Sequence, residues 1–151
     1  MTTPLVPDEH YLWLGRISAS YGMLDVQIGL LGHAAITGEK YTEDWSKLAG
    51  SPGAAVKLCE RALPGMPADL ADRAQELLEA AKPLRLRRHQ LSHSVFVMDP
   101  TDDGPSAPWL LKDPKGSEGQ LLEAVEGEAV VRAINRLSRE ASEIRAAVSS
   151  R

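Results

Sequence analysis

The feature that most constrains this chain is an apolar stripe that holds helical period over three heptads. Leu14, Ile17, Tyr21, Leu24, Ile28, Leu31 and Ala35 follow one another in steps of three and four. A strand would need a period of two, whereas a helix gathers these side chains on one face. The spacing predicts a helix over residues 7–37, entered through Asp8 and Glu9 and ended by Gly38. Leu70, Ala74, Leu77, Ala81 and Leu84 repeat the period and predict a helix over 68–92. Val130, Ile134, Leu137, Ala141, Ile144 and Val148 do so again. With Ser117 and Gln120 as a capping box, that last helix is expected over 117–148.

The segments between these stripes are short. Residues 38–52 form a polar connection in which Tyr41 and Trp45 are expected to cap the core. Ser51 and Pro52 suit the N-cap and first position of a shorter helix through Leu63. Pro64-Gly65-Met66-Pro67 then breaks it. Residues 94–98 are β-prone, 99–105 and 113–116 are turn-rich, and 109–112 suit a return strand. The expected fold class is an all-α up-down bundle of three long helices and one short one, with a small β-hairpin before the last helix. Residues 1–7 read as a tail and 8–151 as one domain.

Hydrophobic residues make up 43% of the chain and charged residues 25%, as in ordinary soluble domains. A formal charge of −4 argues against a histone-like binder but permits a local basic groove. Lys82, Arg85, Arg87 and Arg88 fall within seven residues and supply one. Cys59 is the only cysteine, so neither an internal disulfide nor a cysteine zinc cluster can form, and a reducing cytoplasm is the expected setting. No apolar run nears the roughly 20 residues that span a bilayer, so no membrane association is expected. The N-terminus lacks the basic-then-apolar order of a signal peptide. Gly15, Gly22 and Gly29 stand seven apart on the first helix, with Gly32 beyond. Interior glycines cost about 1 kcal/mol each relative to alanine. Their pattern predicts close approach of another backbone, either a helix of this chain or a second copy of it.

The chemical cluster lies at the end of the third helix, in Arg85-Leu-Arg-Arg-His-Gln-Leu-Ser-His93. The seam calls for apolar residues at 88 and 91. Leu91 conforms, but position 88 is Arg88. A guanidinium on an inward stripe is costly unless it is paired or opens into a cleft. Asp25, at the edge of the first stripe, is a candidate partner, although an exposed Asp25 fits the sequence as well. His89 and His93 lie one turn apart on a shared face.

That spacing suits two zinc ligands, but a catalytic site needs a third, and the His-Glu-x-x-His pattern is absent. Neither a metal nor a cofactor is therefore expected. Cys59, beside Val56 and Leu58, reads as a packing residue rather than a nucleophile. Phosphodiester chemistry fits best. Histidine exchanges protons near neutral pH, arginine holds phosphate through two parallel hydrogen bonds, and RNA brings its own 2′-hydroxyl nucleophile. A structural reading stands beside it, because cations at a helix C-terminus complement the helix dipole.

Arg88-His89-Gln-Leu-Ser-His93 resembles the Arg-x4-His signature of HEPN domains, with His89 in the polar second position. The setting is similar too: the motif ends a long bundle helix, follows a first helix carrying an internal acid (Asp25), and precedes a β-prone segment and a last helix. The resemblance covers residues 8–148. It implies a metal-independent endoribonuclease, working as a homodimer in which two motifs form one composite cleft. Arg88 would then hold the scissile phosphate, His93 would be the acid/base group, and His89 would orient one or the other. Lys82, Arg85 and Arg87 would bind RNA phosphates, and Asp25 would support Arg88. Toxins of toxin–antitoxin pairs and phage-defence effectors occur in this family, so an antitoxin partner is implied as an option. Other members are non-catalytic modules for dimerisation or ligand binding.

Overall fold

The computed structural model of the chain describes residues 7–39, 53–93, 95–98, 109–112, 118–120, 122 and 124–151. The fold is all-α, and among the described residues it is built on four helices: α1 (Asp8–Thr37), α2 (Ala54–Ala62), α3 (Ala68–His93) and α4 (Ala124–Ser149). Three short strands, β1 (Val95–Met98), β2 (Trp109–Lys112) and β3 (Glu118–Gln120), form an antiparallel sheet in the order β1-β2-β3. Val95 faces Lys112, and Leu111 faces Gly119. The expected capping roles of Tyr41 and Trp45, the turns at 99–105 and 113–116, and Ser117 fall outside the described residues.

α1 is the centre of the bundle. Ile17, Tyr21, Leu24, Ile28 and Leu31 are buried along it, with Leu14 and Ala35 partly buried at either end of the stripe. α4 covers this stripe with Ile134, Leu137, Ala141 and Ile144, and α3 contributes Leu70, Ala74, Leu77, Ala81 and Leu91. Gly38 ends α1 in the left-handed conformation (φ 77°), and its N–H donates to the Ala34 carbonyl at 2.8 Å. Arg73 of α3 and Glu140 of α4 meet at 2.8 Å on the surface, a pair that contributes little to stability in water.

Two helix starts differ from expectation. α2 begins at Ala54 rather than beside Ser51 and Pro52, because Gly53 adopts φ 81°, which a right-handed helix does not allow. It ends at Ala62, and Leu63–Gly65 tightens into a 3₁₀ turn before Pro67. α4 begins at Ala124 rather than near Ser117, and Gln120 lies in β3 instead of serving a capping box. Residues 118–120 give their backbone to β2, which the glycine-interrupted segment does more readily than helix.

The glycine pattern divides into two. Gly32 faces α2 so closely that an added Cβ would stand 2.8 Å from the Cys59 nitrogen and 2.9 Å from its Cα. Gly15 and Gly22 have nothing within 4 Å of that position. Of these three, Gly32 is where another backbone of this chain comes close. Cys59 beneath it is fully buried, and burial pushes its thiol pKa up to about 12, as befits a packing residue.

His10 has a structural role that spacing did not suggest. It is fully buried, and its Nδ1 accepts the backbone N–H of Leu122 at 3.0 Å, tying the segment before α4 to the start of α1. Burial lowers its pKa below the ordinary 6.5, and Arg87 adds to the effect while Glu126 opposes it. Folded His10 is thus neutral where the unfolded chain is protonated. Its contribution is complete above about pH 6.5 and is lost as pH falls, at no more than about 1.4 kcal/mol per pH unit for one proton. The urea midpoint is expected to drop between pH 7.5 and pH 5.5. His10→Asn, whose Oδ1 can accept the same bond without titrating, should remove part of that drop. An identical drop in the variant would exclude His10 as its source.

Candidate anion-binding cleft

A helix turns about 100° per residue, so the basic residues of α3 cannot all point one way. Lys82, Arg85, Leu86 and His89 recur in steps of three, one and three and share a face. Arg88 lies about 60° from Arg85, at the centre of the buried seam. Arg87 lies about 100° from Arg88 on the other flank.

The structure follows this division. Asp25, Gly53, Lys57, Lys82, Pro83, Arg85, Leu86, Arg88 and His89 line a cleft of about 630 Å³ where α3 meets α1 and the start of α2. Arg87 turns away from it. Its Nε donates to Glu126 Oε1 at 2.7 Å and its Nη2 stands 2.6 Å from the same oxygen, joining α3 to the first turn of α4. Arg87 is therefore a helix-to-helix tie, not part of the phosphate-binding group expected from the sequence. His93 is the last residue of α3, and its side chain falls outside the described residues.

Arg88 is half-buried, with its guanidinium carbon 5.4 Å from the centroid of the Tyr21 ring. That geometry gains from cation–π attraction, more so with water largely excluded. Its Nε is buried and has no hydrogen-bond partner among the described residues, and neither has the Tyr21 hydroxyl. A buried donor left unmet costs about 1–3 kcal/mol. Arg85 extends over Gly53, its Nη1 3.2 Å from where a Cβ would stand. Lys82 Nζ donates to the exposed Glu79 at 2.7 Å. Pro83 is exposed within an unbroken α3, so the carbonyl it leaves without a backbone donor is near solvent.

The charge balance is one-sided: Lys57, Lys82, Arg85 and Arg88 face Asp25 alone among the carboxylates of the lining. Burial raises the Asp25 pKa, and Arg88 and Arg85 pull against that rise without cancelling it. Burial, reinforced by Asp25, pushes the Tyr21 hydroxyl up to about 12. Because folded Asp25 holds its proton more tightly than the unfolded chain does, its ionised form opposes folding. The cost is absent well below pH 3.8, appears as pH rises towards the folded pKa, and is complete above it. Asp25→Asn is expected to raise Tm at pH 7, because the ionised carboxylate it removes opposes folding. The gain should vanish below pH 4, and a lower Tm at pH 7 would reverse the assignment.

Tyr21, Gly53 and Lys57 belong to the cleft without having stood out in sequence. Tyr21 sits one turn before Asp25, so its place on the same face was readable, but it counted as core. Gly53 and Lys57 reach the cleft only because α2 folds back against α1. His10 and His33 are separated by 23 residues of α1, about 35 Å, and cannot jointly complete a metal site with His89. Comparison with known proteins finds no matching family model, curated protein or solved structure.

Proposed function

We propose that this chain is a metal-independent endoribonuclease of HEPN type, acting as a homodimer in the cytoplasm. The observation that carries the reading is Arg88: a half-buried guanidinium seated on Tyr21, with an unmet donor, in a cleft of four cations and one carboxylate. An anionic oxygen would satisfy that donor and balance that charge. His89 stands in the same cleft wall, and His93 follows one turn later. Leu86, 68% exposed among these charges, offers an apolar contact for the α3 helix of a second copy.

In this reaction the 2′-oxygen of RNA attacks the adjacent phosphorus and the bond to the 5′-oxygen breaks. The products are a 2′,3′-cyclic phosphate and a free 5′-hydroxyl. Arg88 holds the phosphate and offsets the charge that develops on it. His93 exchanges the proton at the 2′-hydroxyl or the leaving oxygen, His89 orients it, and Arg85 and Lys82 draw the strand in. A toxin or phage-defence role, with an antitoxin as partner, accords with such an activity.

One observation favours a second reading. Asp25 already faces Arg88, which suits a non-catalytic module that joins subunits or holds a small phosphorylated ligand. Incubating the dimeric protein with varied RNAs in EDTA separates the two. Cyclic-phosphate ends are expected. No cleavage of any RNA supports the second reading, and cleavage abolished by the chelator would point to a metal enzyme instead.

A further inference from the structure

A second basic cleft lies elsewhere on the bundle, between the first half of α1 and the outer face of α4. It encloses about 600 Å³, and its lining includes Trp13, Arg16, Glu128, Arg132, Arg136 and Arg139. Along α1, Trp13 is 12 residues from Asp25, about 18 Å, so the two clefts are separate. Together they hold eight of the 17 lysines and arginines but two of the 21 acidic residues. In a chain of net charge −4, cations gathered in two places mark two sites for anions.

We infer that the α1–α4 cleft binds the phosphodiester backbone of single-stranded nucleic acid, with Arg16 as a stacking platform for a base. Arg132, Arg136 and Arg139 project in steps of four and three along one side of α4. They span about 10 Å, within reach of adjacent phosphates of one extended strand. Of the three, Arg132 alone has an ion pair among the described residues, with Glu128 at 4.0 Å, and both side chains are largely exposed. Arg136 and Arg139 have no ion pair among the described residues. The Arg16 guanidinium carbon lies 4.8 Å from the Trp13 ring centroid. Trp13 is 7% exposed and is held from behind by Gly127, where a Cβ would come within 2.4 Å of the indole. Gly127 thus leaves the space the indole fills, and the Arg16 guanidinium lies over that ring at the cleft. A planar cation suits a nucleobase, whereas a chain of carboxylates would leave that plane unused. The choice of RNA among such strands rests on the ribonuclease reading; the site itself does not.

The test is fluorescence anisotropy with a 2′-O-methyl oligonucleotide, which cannot be cleaved, titrated at several salt concentrations. Replacing Arg132, Arg136 and Arg139 together by glutamine should weaken binding at least tenfold. It should also lessen the slope of log K against log salt by about 2, at about 0.7 per cation on a single strand. Arg16→Ala should weaken binding of a base-bearing strand more than that of an abasic one. All four side chains are exposed, and an unchanged Tm for each variant confirms that folding is intact. An unchanged affinity and slope in the triple variant overturns the site. Equal affinity for duplex overturns its single-strand character. Tighter binding of poly-glutamate or of anionic vesicles assigns the cleft to another partner. DNA and RNA oligonucleotides run in parallel decide which strand it prefers. A protein that binds in this way but cuts no RNA would retain this site and lose the nuclease reading. One that cuts RNA but binds the same after the triple change would do the reverse.

Discussion

On the proposed ribonuclease reading, Arg88→Ala is expected to lower RNA cleavage by about 10²–10³, the cost of removing one donor that stabilises developing charge. His93→Ala should lower it by about 10²–10⁴, the usual contribution of a positioned proton-transfer group. The two losses should differ in kind. Arg88→Lys keeps the charge but not the planar fork, so it should recover only a small part of the rate. In His93→Ala the histidine limb of the pH–rate profile should disappear, while binding of an uncleavable strand persists. Arg88→Ala has a second consequence that a purely catalytic residue would lack. It strips Asp25 of the first cation opposing its upward pKa shift, so the cost of ionised Asp25 should grow and Tm at pH 7 should fall. Adding Asp25→Asn to Arg88→Ala should restore Tm without restoring cleavage. If the double variant regains cleavage, Arg88 acts through folding and not at the phosphate.

Gly32→Ala carries the largest expected effect on stability. Its new methyl would meet the Cys59 nitrogen at 2.8 Å, the Cys59 Cα at 2.9 Å and the Leu58 carbonyl carbon at 3.0 Å. All three are backbone atoms of α2, so relief requires moving that helix away from α1. Overpacking of this kind costs about 1–3 kcal/mol, more than the roughly 1 kcal/mol that alanine gains in a helix interior. Tm should fall by several degrees, and because α2 carries Lys57 and borders Gly53, the cleft around Arg88 should loosen with it. Gly15→Ala and Gly22→Ala meet nothing within 4 Å and should be neutral or stabilising by up to about 1 kcal/mol. The comparison also tests assembly. If Gly22→Ala splits a dimer, two copies of α1 meet at that face. An unchanged oligomeric state would exclude that face.

The helices were legible because burial imposes its period on the sequence. The stripe on α1, the seam on α3 and the stripe on α4 each predicted a helix whose buried residues the bundle then uses. Arg88 was legible for the same reason, as a charge interrupting an apolar period. The helical rotation that places Arg85 and His89 beside it, and Arg87 across from it, is also a property of sequence alone. What sequence could not supply were contacts between distant segments. His10 with Leu122, Arg87 with Glu126 and Gly32 with Cys59 join residues far apart in the chain, and no local spacing encodes them. The same holds for helix starts decided by backbone demands elsewhere, such as the pairing of residues 118–120 with β2. Sequence determined which faces must be buried and which charge interrupts them. Only the tertiary structure decided that Arg88 rests on Tyr21, that Arg87 leaves the cleft for Glu126, and that Lys57 joins it, because those outcomes depend on how the helices pack together.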